Sequence, residues 1–296
     1  MKLGFIGLGG MGRAMAGLLL AAGHPLAVYN RTHERAQELC ERGARAADSA
    51  RDVARDAQAV VTMLADDEAV ESSVFGAQGL LVGLAPGAVH ISSSTISVAL
   101  SERLAAEHAA AGQCYIAAPV FGRPDAAARK ELWILAAGPR ADVGRCMPVL
   151  EALGRGVTRL GESAPIANVV KLAGNFLIAS VNEALGESFA LTRKAGVDPQ
   201  AFLGLFQAVF ARSAMFERYA ATIARGEYEP AGFKARLGLK DLRLLLAAGD
   251  AAEVPMPLAS LVHDHLLTAV AQGHGDLDWS VIARIAAERA GLGAKK

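Results

Sequence analysis

Residues 2–12 read Lys2-Leu3-Gly4-Phe5-Ile6-Gly7-Leu8-Gly9-Gly10-Met11-Gly12. The short apolar run from Lys2 to Ile6 predicts a strand. It ends directly in glycines at the G-x-G-x-x-G spacing, and an amphipathic stretch beginning near Gly10, Met11 to Ala22, predicts a helix. Placed between strand and helix, the three glycines have separate tasks: Gly7 permits a tight turn, Gly9 lets the backbone approach a pyrophosphate, and Gly12 lets the helix pack closely on the strand. The helix N-terminus then faces an anion. Gly7, Gly9, Gly10, Met11 and Gly12 are therefore candidate cofactor-binding residues. An apolar start with one Lys can also mark a signal peptide, but the glycines and the want of a small-residue cleavage site favour a first strand.

Outward from this unit, through about Gly161, strand-length runs recur at Leu26 to Tyr29, Ala59 to Leu64, Ala88 to Ser92, Tyr115 to Ala118 and Leu132 to Ala137. Helix-like stretches lie between several of them, such as His33 to Arg42 and Val98 to Ala111, while Pro86-Gly87 and Gly138-Pro139 mark turns. This alternation predicts a Rossmann-type, doubly wound, mostly parallel α/β sheet over residues 1–162. From 163 to 296 the strand-like runs give way to Ala- and Leu-rich helical spacing, which predicts an all-α C-terminal domain. Its first helix has Ser163 as an N-cap, Pro165 in the first turn and no breaker before Gly196 and Pro199, about thirty residues or roughly 45 Å. Further helices are expected at Pro199 to Ala208, Ser213 to Ala224, Lys234 to Ala248 and Pro257 to Gln272. The long helix and the Ala/Leu-rich second domain predict a homodimer or homotetramer.

A chain of 296 residues exceeds the size at which one core usually keeps growing, consistent with two domains. Thirty basic residues balance thirty acidic ones, with no Lys/Arg block to neutralise phosphates, so a small-molecule substrate is expected rather than nucleic acid. No run of about eighteen apolar residues free of charge appears, so a membrane span is not expected. Cys40, Cys114 and Cys146 are far apart and without a C-x-x-C pair, which argues against disulfides and zinc and for a reducing cytoplasm. His263-Asp264-His265 lacks the i, i+4 spacing of a two-His metal site and reads as a solvated helix face; His90 reads as in or beside a strand. No metal is expected.

Where NAD-binding proteins place an Asp or Glu after the second strand, this chain reads Tyr29-Asn30-Arg31-Thr32. Asn30 is neutral, Arg31 can pair with a 2′-phosphate through its planar fork, and Thr32 can donate a hydrogen bond while capping the next helix. NADP(H) is the expected cofactor.

On the long helix Asn168, Lys171 and Asn175 recur at spacings of three and four and share a face, which Asn182 extends. Lys and Asn among apolar neighbours need partners, so this stripe predicts a cleft facing the cofactor. At these residues the chain resembles the β-hydroxyacid dehydrogenases, 3-hydroxyisobutyrate dehydrogenase-like, in the branch of the glyoxylate/succinic semialdehyde reductases. The resemblance rests on the glycine turn with its Met, Ser94-Thr95, Ala118-Pro119-Val120, Lys171-Leu172-Ala173-Gly174-Asn175 and Lys240-Asp241-Leu242, in that order along the chain. It implies an NADP-dependent oxidoreductase acting on CH–OH or carbonyl groups, with the site in the crevice between the domains. It implies Lys171 as the catalytic lysine and Asn175 as its polar partner. It also implies Thr95 against nicotinamide or substrate, Met63 and Leu64 at the cofactor, Phe233 as a wall, and Lys240 and Asp241 closing the site. An ammonium near the oxygen that gains charge during hydride transfer can stabilise and protonate it.

One segment departs from the pattern. Family members that take small hydroxy acids carry a Ser-Gly-Gly-like segment after Pro-Val, where this chain has Phe121-Gly122-Arg123. Phe121 cannot donate to a carboxylate, so either Arg123 supplies a charged clamp or the substrate lacks that group. An imine reductase-like NADPH enzyme for a bulkier apolar substrate is the alternative, and a non-catalytic cofactor-binding module is a further one.

Overall fold

A computed structural model describes residues 1–209 and 214–292. The chain forms two compact units, Met1–Lys171 and Leu172–Lys296. The first begins with β1 (Leu3–Ile6), α1 (Gly10–Ala21), β2 (Leu26–Tyr29) and a 3-10 turn His33–Ala36 that leads into α2 (Gln37–Glu41). There follow β3 (Arg45–Ala46), α3 (Ala50–Ala54), β4 (Ala59–Thr62), α4 (Asp67–Phe75), α5 (Leu80–Gly83), β5 (Val89–Ser92) and α6 (Val98–Ala110). The unit continues with β6 (Cys114–Ala117), β7 (Val120–Phe121), α7 (Pro124–Ala128), β8 (Leu132–Ala137), α8 (Arg140–Leu153), β9 (Gly154–Gly161) and the start of α9 (Pro165–Lys194).

Among the described residues the sheet has nine strands in the order β3-β2-β1-β4-β5-β6-β8-β7, with β9 paired to β8. β3 through β6 run parallel, while β8 is antiparallel to β6 and β7. This is the doubly wound, Rossmann-type order, reversing between β1 and β4. Strand residues alternate between two buried faces, as helices on both sides require. Phe5, Val28, Val61 and Ile91 pack with Met15 and Leu19 of α1, and Ile6 and Val60 pack with Val53, Val70 and Leu104. β9 was not among the expected strands. Gly154 and Gly156 are required by packing: a Cβ on the first would run into the Leu132 carbonyl, and on the second would lie 2.7 Å from the Trp133 ring.

The second unit is helical, as expected. The rest of α9 is followed by α10 (Pro199–Val209), α11 (Ala214–Arg225), α12 (Ala235–Ala251), α13 (Pro257–Ala269), a π turn Val270–His274, a 3-10 turn Trp279–Val281 and α14 (Ile282–Arg289). The expected helix start at Ser213 lies outside the described residues. α9 runs thirty residues from Pro165. Gly186 lets α9 approach α14, since a Cβ there would lie 2.6 Å from Ala283 Cα, and Gly238 of α12 sits under the Trp279 ring. α13 stops three residues before the expected Gln272, where the chain enters the π turn and Gly273 takes φ +85°.

His265 corrects an expectation. It is buried rather than solvated; its Nδ1 lies 2.6 Å from Glu183 Oε1, and Arg289 approaches its Nε2. Two residues along a helix are about 200° apart, so His263 and His265 point to different faces. Among the described residues no helix is long and apolar enough to cross a membrane.

Candidate active site

In the first unit, the C-terminal ends of β1, β2, β4 and β5 carry the candidate cofactor residues, where strand order reverses. Gly7 leaves β1 at φ +96°, and a Cβ there would run into the Met63 carbonyl oxygen and lie 2.8 Å from Leu64 Cδ2. Gly12 is as constrained, because a Cβ on it would strike the Gly7 carbonyl oxygen. Gly9 differs. Nothing lies within 4 Å of its Cβ position, and it caps α1 without a side-chain acceptor. The backbone at Gly9, just before the first turn of α1, is thus open to close approach, as a pyrophosphate at a helix N-terminus needs. Gly10 is exposed beside Pro124, and Met11 is half-buried against the core.

Asn30 ties this turn to the end of β2. Its Oδ1 accepts from Leu8 N–H at 2.8 Å and its Nδ2 donates to the Thr32 carbonyl at 2.9 Å. Arg31 is exposed beyond it. Thr32 precedes the 3-10 turn, but its side chain makes no capping hydrogen bond, contrary to the expected cap. The Tyr29 and His33 rings meet edge-on at 6.0 Å across the same bend.

The expected strand Ala59 to Leu64 ends at Thr62, so Met63 and Leu64 belong to the loop that follows, where both are half-buried. That loop and the start of α4 are bonded to the loop after β5: Ser94 Oγ accepts from Leu64 N–H at 2.8 Å, and Asp67 Oδ1 accepts from Ser97 N–H at 2.9 Å. Thr95, half-buried, follows Ser94 directly. The structural task of Ser94 was visible in sequence only as a neighbour of Thr95.

Lys171, 8% exposed on α9, places its Nζ 4.4 Å from the centroid of the Phe121 ring. Phe121 is fixed by β7, whose register pairs it with Trp133 of β8. Gly122 then turns at φ +139°, where a Cβ would collide with Leu132, and Arg123, half-buried, caps α7 through its carbonyl, which accepts from Ala127 N–H.

Within the second unit Asn175, Asp241 and Lys240 come together. Asn175 Nδ2 donates to Asp241 Oδ2 at 2.5 Å, and Lys240 Nζ lies 3.1 Å from Asp241 Oδ1, an ion pair rather than an aligned hydrogen bond. Asp241 is 2% exposed, so its carboxylate depends on these partners. Phe233 packs edge-on against Trp279 at 4.8 Å. Its N–H and that of Gly232 donate to Asp278 Oδ2. Asp278, which the sequence reading passed over, also caps the 3-10 turn by accepting from Ser280; its only sequence signal is the Asp-x-Ser cap spacing.

Residues 2–161 match the NAD-binding domain of 6-phosphogluconate dehydrogenase, and residues 166–286 match the NAD-binding domain of NADP-dependent 3-hydroxyisobutyrate dehydrogenase. The chain belongs to the β-hydroxyacid dehydrogenase family, 3-hydroxyisobutyrate dehydrogenase-like. Within this family it is 45% identical to the oxidoreductase YfjR of Bacillus subtilis, over 96% of this chain and 99% of the relative. It is 32% identical to glyoxylate/succinic semialdehyde reductase 1 of Arabidopsis thaliana, over 95% and 97%. The crystal structure of a 3-hydroxyisobutyrate dehydrogenase from Salmonella typhimurium superposes with a TM-score of 0.86 at 29% identity, covering 96% of this chain and 99% of that one. As a β-hydroxyacid dehydrogenase, the protein is an oxidoreductase acting on CH–OH or carbonyl groups with a nicotinamide cofactor.

Proposed function

We propose that this β-hydroxyacid dehydrogenase uses NADP(H) to interconvert small aldehyde acids, semialdehydes among them, with hydroxy acids, Lys171 serving as proton donor and acceptor. The observation that carries the reading is the buried Lys171 ammonium on α9, with Asn175, held by Asp241, one helical turn further on. The cofactor, when bound, supplies or accepts the hydride. In reduction, the Lys171 Nζ–H donates to the substrate oxygen as negative charge grows there and then transfers its proton. In oxidation a neutral Lys171 accepts the hydroxyl proton. Asp241 fixes which way the Asn175 amide points, so Asn175 orients the oxygen without exchanging a proton.

Gly7, Gly9, Gly10, Met11 and Gly12 hold the pyrophosphate, Met63, Leu64 and Thr95 line the cofactor, and Lys240 closes the site. Arg31, exposed at the end of β2, takes the 2′-phosphate, while Asn30 sets the loop that presents it. Phe121, Gly122, Arg123 and Phe233 are the substrate residues of this reading. The name of the Arabidopsis relative supports aldehyde acids as the substrate class. The assembly is a homodimer or homotetramer.

The test is NADPH consumption against a panel of semialdehydes, glyoxylate, apolar aldehydes and cyclic imines, with Lys171→Ala as control. Turnover of aldehyde acids that vanishes in the variant is expected. Preference for imines, or activity that survives without Lys171, overturns the reading.

A further inference from the structure

A line of four buried polar side chains crosses the first unit away from the candidate catalytic residues. Gln113, between α6 and β6, donates from Nε2 to the carbonyls of Leu81 and Leu84, at 2.9 and 2.6 Å. Its oxygen therefore faces His108 Nδ1, 2.7 Å away, and His108 must carry a proton there. A neutral His108 then accepts at Nε2 from His90 Nδ1 at 2.9 Å, and His90 in turn accepts at Nε2 from the Thr62 hydroxyl at 2.9 Å. Burial holds both imidazoles below the usual histidine range, in keeping with two neutral rings of the same tautomer. The Tyr115 ring, stacked on His108 and edge-on to His90, closes the side of the line.

Thr62 is the last residue of β4, in register with Ile6 on β1 and Ser92 on β5. Its carbonyl accepts from Ser93 N–H at 2.9 Å, and the next carbonyl, that of Met63, is the one a Cβ on Gly7 would strike. A small shift of Thr62 thus reaches both the glycine turn and the loop carrying Ser94 and Thr95.

We propose that the chain Gln113–His108–His90–Thr62 is a positioning network that fixes the end of β4 so that the glycine turn and the Ser93–Thr95 loop are preorganised for the cofactor. This rests on the proposed reading that Met63, Leu64 and Thr95 line the dinucleotide. None of the four is a catalytic residue. Their effect is transmitted through main chain, and a side chain that cannot donate at position 62 leaves His90 Nε2 buried without its proton donor.

The experiment compares Thr62→Val, which keeps the shape and loses the hydroxyl, with Thr62→Ser, which keeps it. NADPH dissociation constants are measured by fluorescence titration, and kcat at saturating cofactor alongside. Thr62→Val is expected to weaken NADPH about tenfold, a loss of about 1.4 kcal/mol, with kcat within about twofold of the parent; Thr62→Ser is expected to restore the affinity. Unchanged affinity in Thr62→Val, or equal loss in both variants, overturns the proposal. Should Thr62→Val fail to fold, nitrogen-15 histidine spectra of the unmodified protein decide. Saturating NADPH is expected to move the His90 Nε2 resonance; a stationary resonance, or a proton on either Nε2, overturns the network. Arg31→Ala separates the two readings: if it too leaves NADPH affinity unchanged, the proposed cofactor site fails, whereas a loss in Arg31→Ala alone overturns only the positioning network.

Discussion

The ammonium nitrogen of Lys171 rests 4.4 Å from the centroid of the Phe121 ring. A cation over an aromatic face is stabilised by about 0.5 to 2 kcal/mol, more as water is excluded, so Phe121 holds Lys171; under the proposed function it also stands where the family resemblance puts a substrate-binding hydroxyl. Phe121→Ser exchanges these roles. Its kcat/KM for glyoxylate and small semialdehydes is expected to rise about tenfold through KM, as a hydroxyl gains a charge-assisted bond to the carboxylate. Steady-state kinetics on the panel checks this, and an unaltered KM would show that position 121 does not face the substrate.

Removing the ammonium itself has a different signature. Lys171→Ala is expected to lower kcat by about a hundredfold to ten-thousandfold, the range for a positioned general acid, while NADPH affinity stays within about twofold. Turnover and cofactor titration on the same preparation separate the effects. Loss of both together would make Lys171 a structural residue of α9.

Arg31 tests cofactor choice. A hydrogen bond to a charged group contributes about 1.5 to 3 kcal/mol, so Arg31→Ala is expected to weaken NADPH about tenfold to a hundredfold and NADH hardly at all. Parallel titrations with the two cofactors give the ratio. Equal weakening would place Arg31 in general loop stability, a role that Asn30 already fills through Leu8 and Thr32.

What the sequence disclosed and what it hid follow from the range of the interactions involved. The Gly7–Gly12 turn was legible because its constraints are local: Gly12 must clear the carbonyl of Gly7, five positions away, and the flanking strand and helix carry their own periodicities. β9 was hidden because Gly154 and Gly156 are dictated by Leu132 and Trp133 on another strand, which no local pattern reports. His265 was misplaced for the same reason, since its partners Glu183 and Arg289 lie 82 and 24 positions away. In the candidate site, residue types and helical spacing marked the stripe Asn168, Lys171, Asn175 and Asn182, and the family resemblance picked Lys171 and Asn175 from it. That Phe121 would lie against Lys171, or that Asp241 would bind the Asn175 amide, depends on tertiary placement.

The paired histidines make stability depend on acid. His90 is held well below the ordinary histidine pKa first by burial and then by the neighbouring His108; His108 is lowered by burial, against the opposing pull of Gln113 and Glu107. In the unfolded chain both take up protons near pH 6.5, whereas in the folded chain they remain neutral to lower pH. The unfolded state therefore binds more protons as pH falls below about 6.5, and stability falls with it. The loss is up to about 1.4 kcal/mol per pH unit for each histidine until its folded pKa is reached. Above about pH 7 this contribution is fully present. Urea unfolding at a series of pH values from about 7.5 down to 5 is expected to show that slope, to which His24, also lowered by burial, adds, and His108→Gln, which removes one titrating ring, is expected to make it shallower. A flat slope would mean that these rings take up protons in the folded chain as readily as in the unfolded one, which the line from Gln113 to Thr62 forbids, and a slope unchanged in the variant would place its origin in other groups.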